Sequence, residues 1–332
     1  MNFVQKALAT VLAASGMLAS PMTLAADVRM NEVLRSVFYV PQYVALKIGA
    51  FEQEGINIVG PKTTWGTQAT ITEIISGASD IALLGPEAAA LTKDAAPDRR
   101  LVNFVKLTDS DGSFILSKTP NSNFKISDLK GKTIVTGGVG STPYTVLIHL
   151  IKKAGLDPKK DVTVRSIPVS ANILPSFLES GADYAQVFEP GAAKAVSEGK
   201  GHRVASVAVL LGSVPYTGYA ATSSYIDKNP KIIQGFTNAI YKGLLWTDKN
   251  SPQKIAELVS PFFKDVPVQT LETVIAEYKK VKVWTVDPII SREGTDRLVG
   301  LLVEGEVLKQ RVPYEQIVNP KFAQKAKQDI KP

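Results

Sequence analysis

The chain has no cysteine and only two histidines in 332 residues. The first absence excludes disulfides, thiolate nucleophiles, thiolate metal sites and a lipid on an N-terminal cysteine. The histidines do little to replace them. His149 stands in an apolar stretch that reads as helix and His202 in the polar turn GKGHR, and neither falls at a metal-ligand spacing. No metal or other cofactor is therefore expected. Basic clusters are short and scattered, Lys152-Lys153 and Lys159-Lys160 among them, which argues against a nucleic-acid surface. Repeats and low-complexity segments are also missing. With 45% hydrophobic and 21% charged residues, the composition is that of an ordinary globular protein large enough for two domains.

The N-terminus is the exception to the scarcity of long apolar runs. Residues 1–25 combine Lys6, an apolar small-residue stretch from Ala7 to Ala19, and Thr23-Leu24-Ala25, the pattern of a cleavable secretory signal. The apolar core is too short to span a membrane permanently. Removing Lys6 with the leader lowers the formal net charge by one from +7. An unanchored exported chain without disulfides fits a bacterial periplasm, with the mature protein a soluble monomer.

From Val28 onward short apolar runs alternate with amphipathic stretches, the rhythm of an α/β protein with mainly parallel sheets. The spacing predicts one group of elements over 26–112 and a second, inserted group over 113–216. The rest, 217–332, is mostly helical and is expected to return to the first group. VASVAVL reads as a strand. Two lobes with chain crossings near Asp111–Phe114 and Val214–Ala221 enclose a cleft, a preferred place for a ligand.

The stretch VTGGVGSTPYTVLIH, Val135 to His149, lacks the Gly-Lys-Ser/Thr ending of a phosphate loop and the full dinucleotide fingerprint. It does bring backbone close to a ligand at Gly140, and it offers Ser141 or Thr142 as the cap of a helix whose positive end can receive an anion or a carbonyl. A plain strand-to-helix connection with a good cap is the other reading. Two further strand ends match it: Gly85-Pro86-Glu87, and Phe188-Glu189-Pro190. Ligands of open α/β sheets sit beyond the carboxyl ends of strands, so both carboxylates are expected at the cleft. Phe38, Tyr39, Trp65, Tyr144, Tyr216 and Tyr219 complete the candidates as aromatic groups able to sandwich a planar ligand.

In order, FYVPQYVALKIGAFEQEGI, SGASDIALLGPEAAA, LKGKTIVTGGVGSTPYTVL, DYAQVFEPGAAKA and VPYTGYAATSSYI resemble a periplasmic solute-binding protein of an ABC importer. The similarity is to the family that binds sulfonates, nitrate, taurine and thiamine pyrimidine precursors. It implies a type II periplasmic binding fold, two lobes on a doubly crossed hinge, and partners in a membrane permease and its cytoplasmic ATPase. The cleft positions it implies are Phe38, Tyr39, Trp65, Gly85 to Glu87, Gly140 to Thr142, Tyr144, Phe188 and Glu189, to which the crossover position adds Tyr216. The helix start would suit a sulfonate or nitrate head. Glu87 and Glu189 favour instead a nitrogen heterocycle or another neutral-to-cationic planar compound. Enzymes that make the thiamine pyrimidine share the resemblance, but they rely on a cysteine-rich motif and an active histidine that this chain lacks.

Overall fold

The computed structural model describes residues 25–331. The expected leader lies, except for Ala25, outside the described residues. Two five-stranded sheets organise the molecule. The first is built from β1 (Ala26–Glu32), β2 (Ile56–Thr63), β3 (Ile81–Leu84), β4 (Leu101–Thr108) and β10 (Thr217–Thr222), in the order β2-β1-β3-β10-β4. The second uses β5 (Ser113–Ser117), β6 (Thr133–Gly137), β7 (Thr163–Ile167), β8 (Tyr184–Phe188) and β9 (His202–Ser206), in the order β7-β6-β8-β5-β9. Helices follow most strands, as parallel connections require.

Each sheet contains one antiparallel strand, and both lie beside the hinge. β10 runs antiparallel to β3 and β4, and β5 antiparallel to β8 and β9. The expected second crossing, Val214–Ala221, is therefore shorter than its sequence suggests, because Thr217 onward is already a central strand. Small residues make this possible: a Cβ on Gly218 would stand 2.7 Å from the Val105 carbonyl oxygen. VASVAVL is also corrected, since β9 ends at Ser206 and Val207–Leu211 is helical.

The two crossings lie side by side and are bonded to each other. Val214 N–H donates to the Asp109 carbonyl at 2.9 Å and Ser110 Oγ to that of Gly212 at 3.0 Å. The Thr108 and Thr217 hydroxyls meet at 2.6 Å.

Large aromatic side chains fill the first core, and the hydroxyls of Tyr43 and Tyr219 are satisfied there. Tyr43 and Gln42 donate to the buried Glu32 carboxylate at 2.8 and 2.7 Å, and Tyr219 donates to Gln42 Oε1 at 2.8 Å. Thr63 and Arg35 complete the shell around Glu32. Burial pushes the Glu32 carboxyl above its ordinary value although Arg35 opposes this. Helix Pro230–Lys249 packs against helix Val40–Lys47 and against Lys321–Asp329, so C-terminal segments cover the first sheet. No described helix is long and apolar enough to cross a membrane.

Candidate functional site

The strand ends of both sheets face one another across a cavity of about 400 Å³. Tyr39, Trp65, Gly85, Glu87, Ser141, Thr142, Phe188 and Tyr216 line it, together with Val33, Leu34, Gln68, Ile167, Pro168 and Ile173. Most come from a turn that follows a strand or from the first residues of the next element; Ile167 and Phe188 end β7 and β8, and Tyr216 stands just before β10. No lysine, arginine or histidine stands among the lining residues.

Glu87 is the acidic centre of this wall. It opens the short helix Glu87–Leu91, and its side chain folds back over Gly85, where a Cβ would lie 1.8 Å from a carboxylate oxygen. Glycine at 85 is what lets the carboxylate reach across the cleft. There it accepts the Thr142 backbone N–H at 3.3 Å and the Thr142 hydroxyl at 2.5 Å. Thr142 is the first residue of helix Thr142–Lys153, so Glu87 occupies the positive helix end that a bound anion would seek. Ser141 is spent on the same turn: its hydroxyl donates to the Gly138 carbonyl at 2.7 Å and accepts the Tyr144 N–H at 3.5 Å. Burial raises the Glu87 carboxyl to about 7, against the lowering effect of the Thr142 bonds.

Five expected residues are not brought to the cavity. Glu189 is turned away. One of its carboxylate oxygens pairs with Arg203 and the other accepts the Ala193 N–H at 2.8 Å, so it caps its own helix. Burial still lifts its carboxyl to about 7, outweighing the Arg203 charge. Phe38 is fully buried beneath the cavity, its ring 5.5 Å from that of Phe188 and 5.8 Å from that of Tyr216. It acts as a foundation for those two and presses on the hinge, since a Cβ on Gly112 would meet its ring at 2.2 Å. Gly140 and Tyr144 lie outside the lining. Tyr219 is also core, held by Gln42.

Other contributors escaped the sequence pattern. Pro168, Val169 and Ser170 follow β7, an end to which the strand-end rule applies equally, yet no glycine or acid marks it. Asp111 lies behind the cavity in the first crossing. It accepts Ser113 N–H at 2.6 Å and Gln186 Nε2 at 3.3 Å, and burial raises it to about 6. The Tyr216 hydroxyl feels its charge without a hydrogen bond of normal geometry.

The lobes are drawn together at several points around the cavity. Ser170 N–H donates to the Trp65 carbonyl at 3.0 Å, and Ser36 Oγ donates to the Glu189 carbonyl. A Cβ on Gly66 would lie 2.7 Å from the Pro168 carbonyl oxygen, so the two loops touch through backbone. On another side, helix Arg292–Glu304 reaches helix Thr142–Lys153: His149 Nδ1 meets Glu304 Oε2 at 2.8 Å and Lys152 Nζ donates to the Glu304 carbonyl at 2.5 Å. His149 thus has a structural partner. The described residues contain no group of three or more His, Asp or Glu arranged to hold a metal ion.

A family model described as NMT1-like matches residues 33–260. The chain belongs to the NMT1-like family. Among curated relatives, YtlA of Bacillus subtilis (strain 168), a presumed binding protein, is 35% identical over 298 residues, which cover 90% of this chain and 89% of YtlA. Two solved structures share the fold at low identity. The ligand-binding component of an ABC-type import system from Staphylococcus aureus, solved with zinc, is similar at a TM-score of 0.75 and 15% identity, covering 92% of this chain and 100% of that one. The alkanesulfonate-binding protein SsuA of Xanthomonas axonopodis pv. citri, solved with MOPS, is similar at 0.72 and 16%, covering 89% and 98%. This NMT1-like chain therefore has the two-lobed type II periplasmic binding fold, with the cavity in the cleft between the lobes.

Proposed function

We propose that this protein is the periplasmic substrate-binding component of an ABC importer and captures a small planar nitrogen heterocycle, a thiamine pyrimidine precursor being the favoured example. Residues 26–112 with 217–332 would form one arm of the clamp and 113–216 the other. The export signal supports the location. The relatives support the transport role, with a permease and its ATPase as the receiving partners.

The observation that carries the ligand class is the occupation of the helix start at Thr142 by Glu87. A small anion would have to displace this carboxylate, and no cationic side chain in the lining would compensate. A ligand with N–H donors can share the carboxylate instead. Trp65, Phe188 and Tyr39 supply rings against which a planar ligand can stack. Binding favours closure only to the extent that the ligand contacts both lobes. The lining offers no nucleophile activated by a base, which supports binding without turnover.

Calorimetry with an aminopyrimidine alcohol, an alkanesulfonate, taurine and nitrate tests this reading. The heterocycle is expected to bind, and Glu87→Gln to weaken it. Tight binding of nitrate or a sulfonate that Glu87→Gln leaves unchanged would overturn it.

A further inference from the structure

A second chamber of about 450 Å³ adjoins the first on its outer side. The two share Leu34, Trp65, Ser170, Ile173 and Phe188, so the wall between them is formed by side chains of both lobes. Their character differs sharply. The inner cavity has no basic residue, whereas the outer one is lined by Arg35, Lys194 and Lys264.

The local ion pairs leave two of these charges over. Arg35 is committed to Glu32, and Glu189 is committed to Arg203, which also binds Glu277. Among the described residues no ion pair includes Lys194 or Lys264, and both are exposed. Asp265 is the one other acid in the lining. Lys194 belongs to helix Gly191–Ser197 of the second lobe, and Lys264 follows the turn Ser260–Phe262 on the C-terminal segments. Lys194 thus lines the chamber from the second lobe and Lys264 from the C-terminal segments. The Ser170 hydroxyl, buried in the shared wall, has no hydrogen-bond partner.

We propose that the outer chamber is a second subsite, which takes an oxyanion at the end of a ligand whose planar head fills the inner cavity. The substrate class becomes an aromatic heterocycle carrying a short acidic tail such as a phosphate ester. This rests on the heterocycle reading of the inner cavity. The tail bridges Lys194 and Lys264 and so binds the closed form in preference to the open one. Glu87 excludes the acidic end from the inner cavity and thereby sets the direction in which the ligand enters.

The test compares an aminopyrimidine alcohol with its phosphate monoester by calorimetry, in the wild type and in a Lys194→Ala/Lys264→Ala double variant. Both substitutions are at exposed positions and leave the fold intact. The phosphate is expected to bind at least about 10-fold tighter than the alcohol in the wild type, an advantage that charge-assisted contacts supply. In the double variant the advantage should shrink below about 2-fold while the affinity for the alcohol stays the same. If neither compound binds, the heterocycle reading fails, and the same comparison with 1-naphthylmethanol and 1-naphthylmethyl phosphate judges the subsite alone. Absence of a lysine-dependent preference for the phosphate in both pairs overturns the proposal.

Discussion

Thr142 donates both its backbone amide and its hydroxyl to Glu87 on the opposite lobe, at 3.3 and 2.5 Å. The pair clasps the two lobes together, and on the proposed reading the same atoms exclude a ligand anion. Thr142→Val keeps the amide bond and the side-chain volume but removes the hydroxyl. Heterocycle affinity is expected to fall roughly 10- to 150-fold, the worth of one hydrogen bond to a charged group. Calorimetry on a variant with unchanged thermal stability checks this.

Glu87→Gln preserves shape but loses the charge that N–H donors would seek. The expected loss of affinity for an aminopyrimidine is about 10- to 100-fold. An unchanged dissociation constant would show that Glu87 serves the clasp alone.

The buried carboxyls also make stability depend on pH. Glu87 and Glu189 are raised to about 7 and Asp111 to about 6, all chiefly by burial. Over this range the folded protein holds protons on these groups that the unfolded chain has released, so their contribution to stability is most favourable below the ordinary carboxyl range and declines as pH rises towards about 7. Urea midpoints measured from about pH 5 to about pH 8 should fall and then level off. Glu87→Gln should flatten part of that decline.

Gly66 meets the Pro168 carbonyl through bare backbone. Gly66→Ala puts a methyl group into that contact and should wedge the lobes apart while leaving each core intact. The expected result is a larger radius of gyration by small-angle scattering and an affinity weakened by about 10-fold or more, because the closed form must overcome the clash.

Glu32 collects Tyr43, Gln42, Thr63 and Arg35 far from solvent. Glu32→Ala leaves those groups without their acceptor and should cost about 3 kcal/mol. The readout is the urea midpoint of the ligand-free protein.

The alternation of strands and helices and the clustering of strand ends at one cleft were readable in the residues, because both follow from local periodicity and from parallel topology. Side-chain direction was not. Glu87 and Glu189 look alike in sequence, each an acid beside a proline at a strand end. Glycine at 85 lets the first carboxylate fold into the cleft, while Arg203, fourteen residues beyond Glu189, draws the second out of it. Phe38 likewise reads as a loop aromatic, but the hinge glycine at 112 admits its ring to the core. Such outcomes depend on three-dimensional packing and on partners outside the local pattern, which periodicity cannot reveal. The Thr217–Thr222 strand was hidden for the same reason, since its neighbours β3 and β4 lie more than a hundred residues earlier.

That late strand also imposes an order of assembly. β4 has no partner in its sheet other than β10, whereas all five strands of the second sheet fall between Ser113 and Ser206. During synthesis the second lobe can complete its hydrogen-bonded ladder while β4 still waits with an open edge. Thr217–Thr222 then inserts as the keystone between β3 and β4. The inserted lobe can be finished first, and the lobe that holds Ala26–Glu32 is finished last.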